Sequence, residues 1–269
     1  MTENSIFRGA ATALITPLTA DGIDYESFGR LIDWQIESGI DGLVICGTSG
    51  EGSTLSDKEH REALNFAIQR ADGRVPMIAG TGSNDIAYGI DLTKFACEIG
   101  YDAVLVVTPY YNKATQNGLI KSYMATADAS SKPCILYNVP SRTGVNIEPA
   151  TYDILADHPM IQGIKEANGN IAKIVEPMSI VGDRLDLYSG HEDEIVPLLS
   201  VGGSGVISVL SNVFPKETSL MCKKFFEGDT KGALELQFKY FKLIKALFSE
   251  VNPIPVKAAM AAMGFCEDY

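Results

Sequence analysis

Eight short apolar runs constrain this chain more than any other feature: Ala11–Thr16, Gly42–Cys46, Pro76–Gly80, Ala103–Thr108, Cys134–Asn138, Ile161–Lys165, Leu185–Ser189 and Gly205–Val209. Several are β-branched, and most end in Gly, Thr, Pro or Asn. Apolar residues fill them continuously instead of alternating with polar ones, which marks strands covered on both faces, as in a parallel sheet under helices. Helical segments with local start signals lie between them. Tyr25–Glu37 follows Asp24 as N-cap, and Asp57–Ala71 opens on Ser56-Asp57-Lys58-Glu59, the form of a capping box. Asp85–Glu98, Gln116–Ala129, Pro149–Ala156, Ile171–Val181 and Glu192–Ser200 continue the series, so strand and helix alternate roughly every 25–35 residues.

Eight strands at that rhythm imply an α/β fold, a closed (β/α)₈ TIM barrel, and 269 residues suit the roughly 250 that one barrel occupies. An open doubly wound sheet is the rival, but its GxGxxG turn after the first strand is absent, where the sequence reads TPLTADG. Past the eighth run, Lys216–Glu227, Lys231–Glu250 and Pro255–Met263 add three helical stretches without a Pro-, Gly- or Ser-rich linker. The expectation is a barrel over residues 1–212 with a helical appendix packed on it over 213–269.

Composition narrows the function. The net charge of -12 repels phosphate backbones and anionic lipid, and no basic stripe offsets it, so neither nucleic acid nor a membrane is an expected partner. The opening MTENSIFRG lacks the basic and apolar run of a signal peptide, no stretch approaches the roughly 18 apolar residues of a membrane helix, and a cytoplasmic location is expected. Cys46, Cys97, Cys134, Cys222 and Cys266 lie far apart with no CxxC, which suits reduced thiols. His60, His158 and His191 are not spaced as ligands, and His60 is expected on a solvent-facing side of its helix. No metal and no cofactor is expected.

In a TIM barrel the active site lies at the C-terminal ends of the strands. Those ends carry Thr48 and Ser49 after the second run, Tyr110 and Tyr111 after the fourth, Tyr137 and Arg142 after the fifth, and Lys165 closing the sixth. A free lysine titrates near about 10.4, but inside a barrel desolvation favours the neutral amine, which can attack a ketone and form an iminium that acts as an electron sink. The alternative is a lysine snorkelling to the rim or paired with a carboxylate. Tyr137, Tyr111 and Thr48 could be rim or core residues; together their hydroxyls could also relay protons for making and breaking a carbinolamine. The Gly47-Thr48-Ser49-Gly50 turn is either an ordinary loop or a cradle for a small carboxylate, and Arg142 either a surface charge or a carboxylate fork.

GTSGE, VTPYYNKATQNG, YNVPSRTG, GIKEA, GVISV and NPIPVK, in this order and over nearly the whole chain, resemble the 4-hydroxy-tetrahydrodipicolinate synthase family of class I pyruvate-dependent aldolases. That resemblance implies a lyase that condenses pyruvate with L-aspartate 4-semialdehyde on the way to diaminopimelate and lysine. It implies Lys165 as the Schiff-base residue, Tyr137 as the proton donor and acceptor, and Thr48 and Tyr111 as the rest of the relay. Ser49 would bind the pyruvate carboxylate, Arg142 the semialdehyde carboxylate, and Gly190 and the Ile207 carbonyl would line the pyruvate pocket. In relatives the second tyrosine of TPYY reaches a neighbouring subunit's site, so Tyr111 implies a homodimer or homotetramer. A sister aldolase of the N-acetylneuraminate lyase type, or a silent paralogue that binds a keto acid, shares much of this set. His191 stands where relatives commonly carry a small acidic or amide residue. Tyr88 stands where lysine-inhibited relatives carry glutamate, which implies weak lysine feedback. The family pattern also runs roughly one helix past Tyr269.

Overall fold

All eight runs form strands in the computed structural model, which describes residues 5–269. They are β1 Gly9–Ala13, β2 Gly42–Ile45, β3 Met77–Gly80, β4 Ala103–Val107, β5 Cys134–Asn138, β6 Ile161–Glu166, β7 Asp186–Ser189 and β8 Gly205–Ser208. Each pairs in parallel with its neighbours in sequence, and β8 closes onto β1 through Gly9↔Gly205 and Ala10↔Val206. The sheet is a closed barrel, not an open doubly wound sheet. Closure leaves none of these strands with an unpaired edge.

Side chains on a strand point alternately to its two faces, and here both faces are buried. Ala11, Val44, Ile78, Leu105, Ile135 and Ile207 meet in the lumen. Ala10, Leu43, Met77, Val104, Leu136 and Val206, one residue out of phase, pack under the helices. This is why the runs read as continuous apolar stretches. Phe7, just before β1, stacks on Tyr188 of β7 with ring centroids 4.2 Å apart and closes the lumen below the site.

The helices are α1 Tyr25–Glu37, α2 Asp57–Ala71, α3 Ile86–Glu98, α4 Gln116–Ala129, α5 Pro140–Thr143, α6 Pro149–Leu155, α7 Ile171–Val181, α8 Ile195–Ser200, α9 Pro215–Phe226, α10 Thr230–Leu247 and α11 Ile254–Ala262. Asp24 caps α1 by accepting from the Ser27 N–H, and α1 buries Phe28, Leu31, Ile32 and Gln35, the one-sided spacing of an amphipathic helix. Each of its three large apolar side chains stabilises the fold by roughly 1.5–3 kcal/mol. The Ser56–Glu59 capping box of α2 is formed on both sides. After the barrel, α9 lies against β1, and α10 packs on α8 and α9.

Departures from the expectation include two boundaries and one added hairpin. The end of the first run leaves the sheet after Ala13, because the Asn212 side chain takes the Ile15 N–H at 3.1 Å and the Thr16 hydroxyl turns to the Gly50 carbonyl at 2.7 Å. A two-residue hairpin, Leu18–Thr19 with Gly22–Ile23, follows it. Glu192–Glu194 winds as a 3₁₀ turn before α8 begins at Ile195. Among the described residues no helix is long and apolar enough to cross a membrane.

Candidate active site

Lys165 stands on β6 in register with Tyr137 of β5 and Tyr188 of β7. Its neighbours Ile164 and Glu166 face the helices, so alternation turns Lys165 into the barrel. It is 5% exposed, and its Nζ sits 4.3 Å from the centroid of the Tyr137 ring. A cation over an aromatic face is attracted, and a neutral amine there is held beside a phenol. No carboxylate lies within ion-pair distance of it among the described residues. Lys257, the other buried lysine, is paired with Glu51 at 2.7 Å. The rim-lysine alternative for Lys165 is therefore excluded by its burial, and the salt-bridge alternative by its lack of a partner.

Gly190 makes room for this lysine. A Cβ there would lie 3.1 Å from the Lys165 Cε and 2.7 Å from the Ala167 Cβ. The Gly190 N–H also ties β7 to the Glu166 carbonyl at 2.8 Å. Ile207, 1% exposed, faces the lumen from β8 beside Ala11.

Above Tyr137 opens a cavity of about 220 Å³, lined by Gly47, Thr48, Tyr110, Tyr137, Arg142 and His60 among others. Lys165 does not line this space itself; it touches Tyr137, which does. The Gly47–Gly52 turn is tightly built, since a Cβ on Gly52 would stand 2.1 Å from the Cys46 carbonyl oxygen. Ser49 is buried, and its hydroxyl accepts from the Asn252 Nδ2 at 3.0 Å. Arg142, exposed on α5, donates to the Asn252 carbonyl at 3.2 Å. One residue of the loop before α11 therefore holds both candidate carboxylate-binding groups. The NPIPVK stretch carries no local sign of this role, because Asn252 lies 203 positions from Ser49.

Tyr111 is placed differently from Thr48 and Tyr137. With φ of 75° it is 89% exposed and does not line the cavity, while Tyr110 does. No hydrogen bond joins Thr48, Tyr111 and Tyr137 within one chain.

His60 corrects the expectation of a solvent-facing histidine. It is 4% exposed, its Nε2 lies 3.0 Å from the Gly80 carbonyl, and burial pulls its pKa below the usual histidine range. The signal was in the spacing: His60, Ala63, Leu64, Ala67 and Ala71 form the buried stripe of α2. His191, half-buried, has its Nε2 3.2 Å from the Ala167 carbonyl. Glu192, not singled out from the sequence, is 1% exposed. One of its oxygens accepts from the Val209 and Leu210 N–H groups, and the other, Oε2, has no hydrogen-bond partner. Burial raises the Glu192 carboxyl above the usual range, against those amides and the charge of Lys165. No three His, Cys, Asp or Glu among the described residues are grouped to hold a metal ion.

A lumen lysine without a partner, a phenol against it, and hydroxyl and guanidinium groups at the mouth can bind a small keto acid covalently and shuttle its protons. The Dihydrodipicolinate synthetase family model matches residues 6–269. The chain is 48% identical over 260 residues to 4-hydroxy-tetrahydrodipicolinate synthase of Clostridium perfringens strain 13, covering 97% of this chain and 89% of that protein. It is 53% identical over 263 residues to the protein of the same name from Lachnoclostridium phytofermentans, covering 97% and 90%. The crystal structure of dihydrodipicolinate synthase from Aquifex aeolicus matches with a TM-score of 0.96 at 40% identity, covering 98% of this chain and 90% of that one.

Proposed function

The chain belongs to the dihydrodipicolinate synthetase family, and we propose that it condenses pyruvate, bound as a Schiff base on Lys165, with L-aspartate 4-semialdehyde to give 4-hydroxy-tetrahydrodipicolinate. The observation that carries the residue assignment is the buried, unpaired Lys165 amine beside the Tyr137 ring. Its nitrogen adds to the keto carbon, and the carbinolamine loses water to leave an iminium. Tyr137 gives and takes the protons of those steps, with Thr48 as its neighbour on the cavity wall. The iminium takes up the electron pair of a methyl C–H bond as Tyr137 takes the proton, and the resulting enamine carbon forms the new bond to the aldehyde carbon, whose oxygen receives a proton from Tyr137 and becomes the hydroxyl. The amino group of the second substrate then displaces Lys165, closing the ring and freeing the enzyme.

Ser49 and the turn around it receive the pyruvate carboxylate, held ready by Asn252, while Gly190 and the Ile207 carbonyl bound the pyruvate pocket. Arg142, exposed at the mouth and without a carboxylate partner, takes the carboxylate of the semialdehyde. We assign Tyr111 to the site of a second copy, which makes the working unit a homodimer or homotetramer; its exposed left-handed placement supports this. All of these groups but Asn252 lie in residues 1–212, so the proposed division gives the barrel the chemistry and the appendix of residues 213–269 the support of the mouth. The free state of all five cysteines suits a reducing cytoplasm. The reaction as written needs no metal and no cofactor.

Intact mass after borohydride reduction with pyruvate tests this. An adduct on Lys165, with turnover of aspartate semialdehyde, is expected. An adduct without turnover would redirect the reading to another aldehyde, and no adduct would end it.

A further inference from the structure

Tyr137 and Lys165 are partners in register, and so are the residues that follow them, Asn138 and Glu166. The first pair faces the lumen. The second, one residue on, faces the helices and is buried, Asn138 at 0% and Glu166 at 2% exposure. The Asn138 Nδ2 donates to both oxygens of the Glu166 carboxylate, at 3.0 and 3.1 Å, and to the Asn146 Oδ1 at 2.9 Å. The Glu166 carboxylate also accepts from the Tyr152 hydroxyl and from the Asn168 N–H, each at 3.0 Å. The Asn138 Oδ1 accepts from the Ile147 N–H at 3.2 Å. None of these groups enters the chemistry proposed above.

The β5–β6 ladder gives this pair a task. Its register shifts between Cys134 and Ile135, at the far end from the site. Backbone pairing that slips at one end does not alone fix how the other end sits, and a slip along a strand moves every side chain. The bonds of Asn138 and Glu166 pin the C-terminal ends across the two strands and to α6 through Tyr152.

Resting on the Schiff-base reading, we infer that Asn138 and Glu166 are positioning residues: their buried hydrogen-bonded pair, backed by Tyr152, holds the Tyr137 phenol and the Lys165 amine at the spacing imine formation needs. Misplacing a reacting group by about 1 Å can cost about a hundredfold in rate with little effect on ground-state binding.

The test is the rate at which the borohydride-trapped pyruvate adduct accumulates on the full chain, followed by intact mass over a series of pyruvate concentrations. Glu166→Gln sets an N–H₂ among groups that already donate. Its maximal trapping rate is expected to fall at least about tenfold, while the half-saturating pyruvate concentration moves less than about threefold. Tyr152→Phe removes one bond of the clamp with little change in volume and is expected to slow trapping about threefold; it carries the test if Glu166→Gln does not fold. Trapping at the unaltered maximal rate in a folded Glu166→Gln, or in Tyr152→Phe should the first not fold, overturns the inference. So does a loss confined to pyruvate affinity. No adduct on the unaltered chain strikes out the Lys165 reading and this one together, whereas a normal adduct there with an equally fast variant removes the clamp alone.

Discussion

Two lysines, Lys165 and Lys257, are almost equally buried, at 5% and 6% exposure, yet only Lys257 has a carboxylate. The Lys257 amine is tied up in its ion pair, whereas among the described residues no ion pair or hydrogen bond engages the Lys165 amine, which is therefore the one free to add to a carbonyl carbon. Lys165→Ala should abolish the borohydride-trapped adduct. Lys257→Met should keep it and lower stability by about 2–3 kcal/mol, since it strands Glu51 in the turn that carries Thr48 and Ser49; denaturant titration with the trapping assay separates the two effects. Tyr137→Phe keeps the ring against Lys165 and removes only the hydroxyl, so turnover should slow by roughly two to four orders of magnitude in a steady-state assay while folding is unchanged. Lys165, Tyr137, Thr48, Ser49 and Arg142 could be named as candidates from the sequence because strand ends in a barrel are short, polar and at known places, and their roles came from the family resemblance. Asn252 and Glu192 could not, because what they touch lies far along the chain and their residue types alone say nothing of it.

Elements were legible in proportion to how local their causes are. The starts of α1, α2, α4 and α7 follow from caps whose acceptor and donor lie within three residues, Asp24 to Ser27, Ser56 to Glu59, Thr115 to Gly118 and Asn170 to Ala172. The end of β1 depends instead on Asn212, 197 positions from Ile15. Local pattern reads Leu14–Thr16 as more strand; the Asn212 side chain takes those backbone groups, donating to the Ala13 carbonyl at 2.9 Å and accepting from Ile15. Asn212 is fully buried, so Asn212→Ala leaves a donor and an acceptor without partners. A loss of about 2–4 kcal/mol is expected from the urea midpoint. A loss under about 0.5 kcal/mol, the range of an ordinary surface change, would show that the segment rejoins the ladder instead.

At the scale of the whole molecule the net charge of -12 says little about how stability responds to pH, because that response follows the groups whose affinity for protons changes on folding. His60 and Glu166 pull in opposite directions. Burial lowers the His60 pKa below its ordinary 6.5, so the unfolded chain takes up the proton first and stability is lost as pH falls below about 6.5. Burial raises Glu166 from 4.5 to about 7, against the bonds from Asn138, Tyr152 and Asn168. The folded chain then holds that proton longer, and stability is lost as pH rises from about 4.5 towards 7, by roughly 3 kcal/mol at most. Just below pH 6.5 the two slopes oppose each other and flatten the profile. Urea midpoints at pH 5.5, 6.5 and 7.5 separate them by difference. His60→Gln should gain on the unaltered chain as pH falls through 6.5, and Glu166→Gln should gain on it as pH rises towards 7. Difference curves of the same sign for both variants would mean that one of these side chains does not hold its proton as its surroundings dictate.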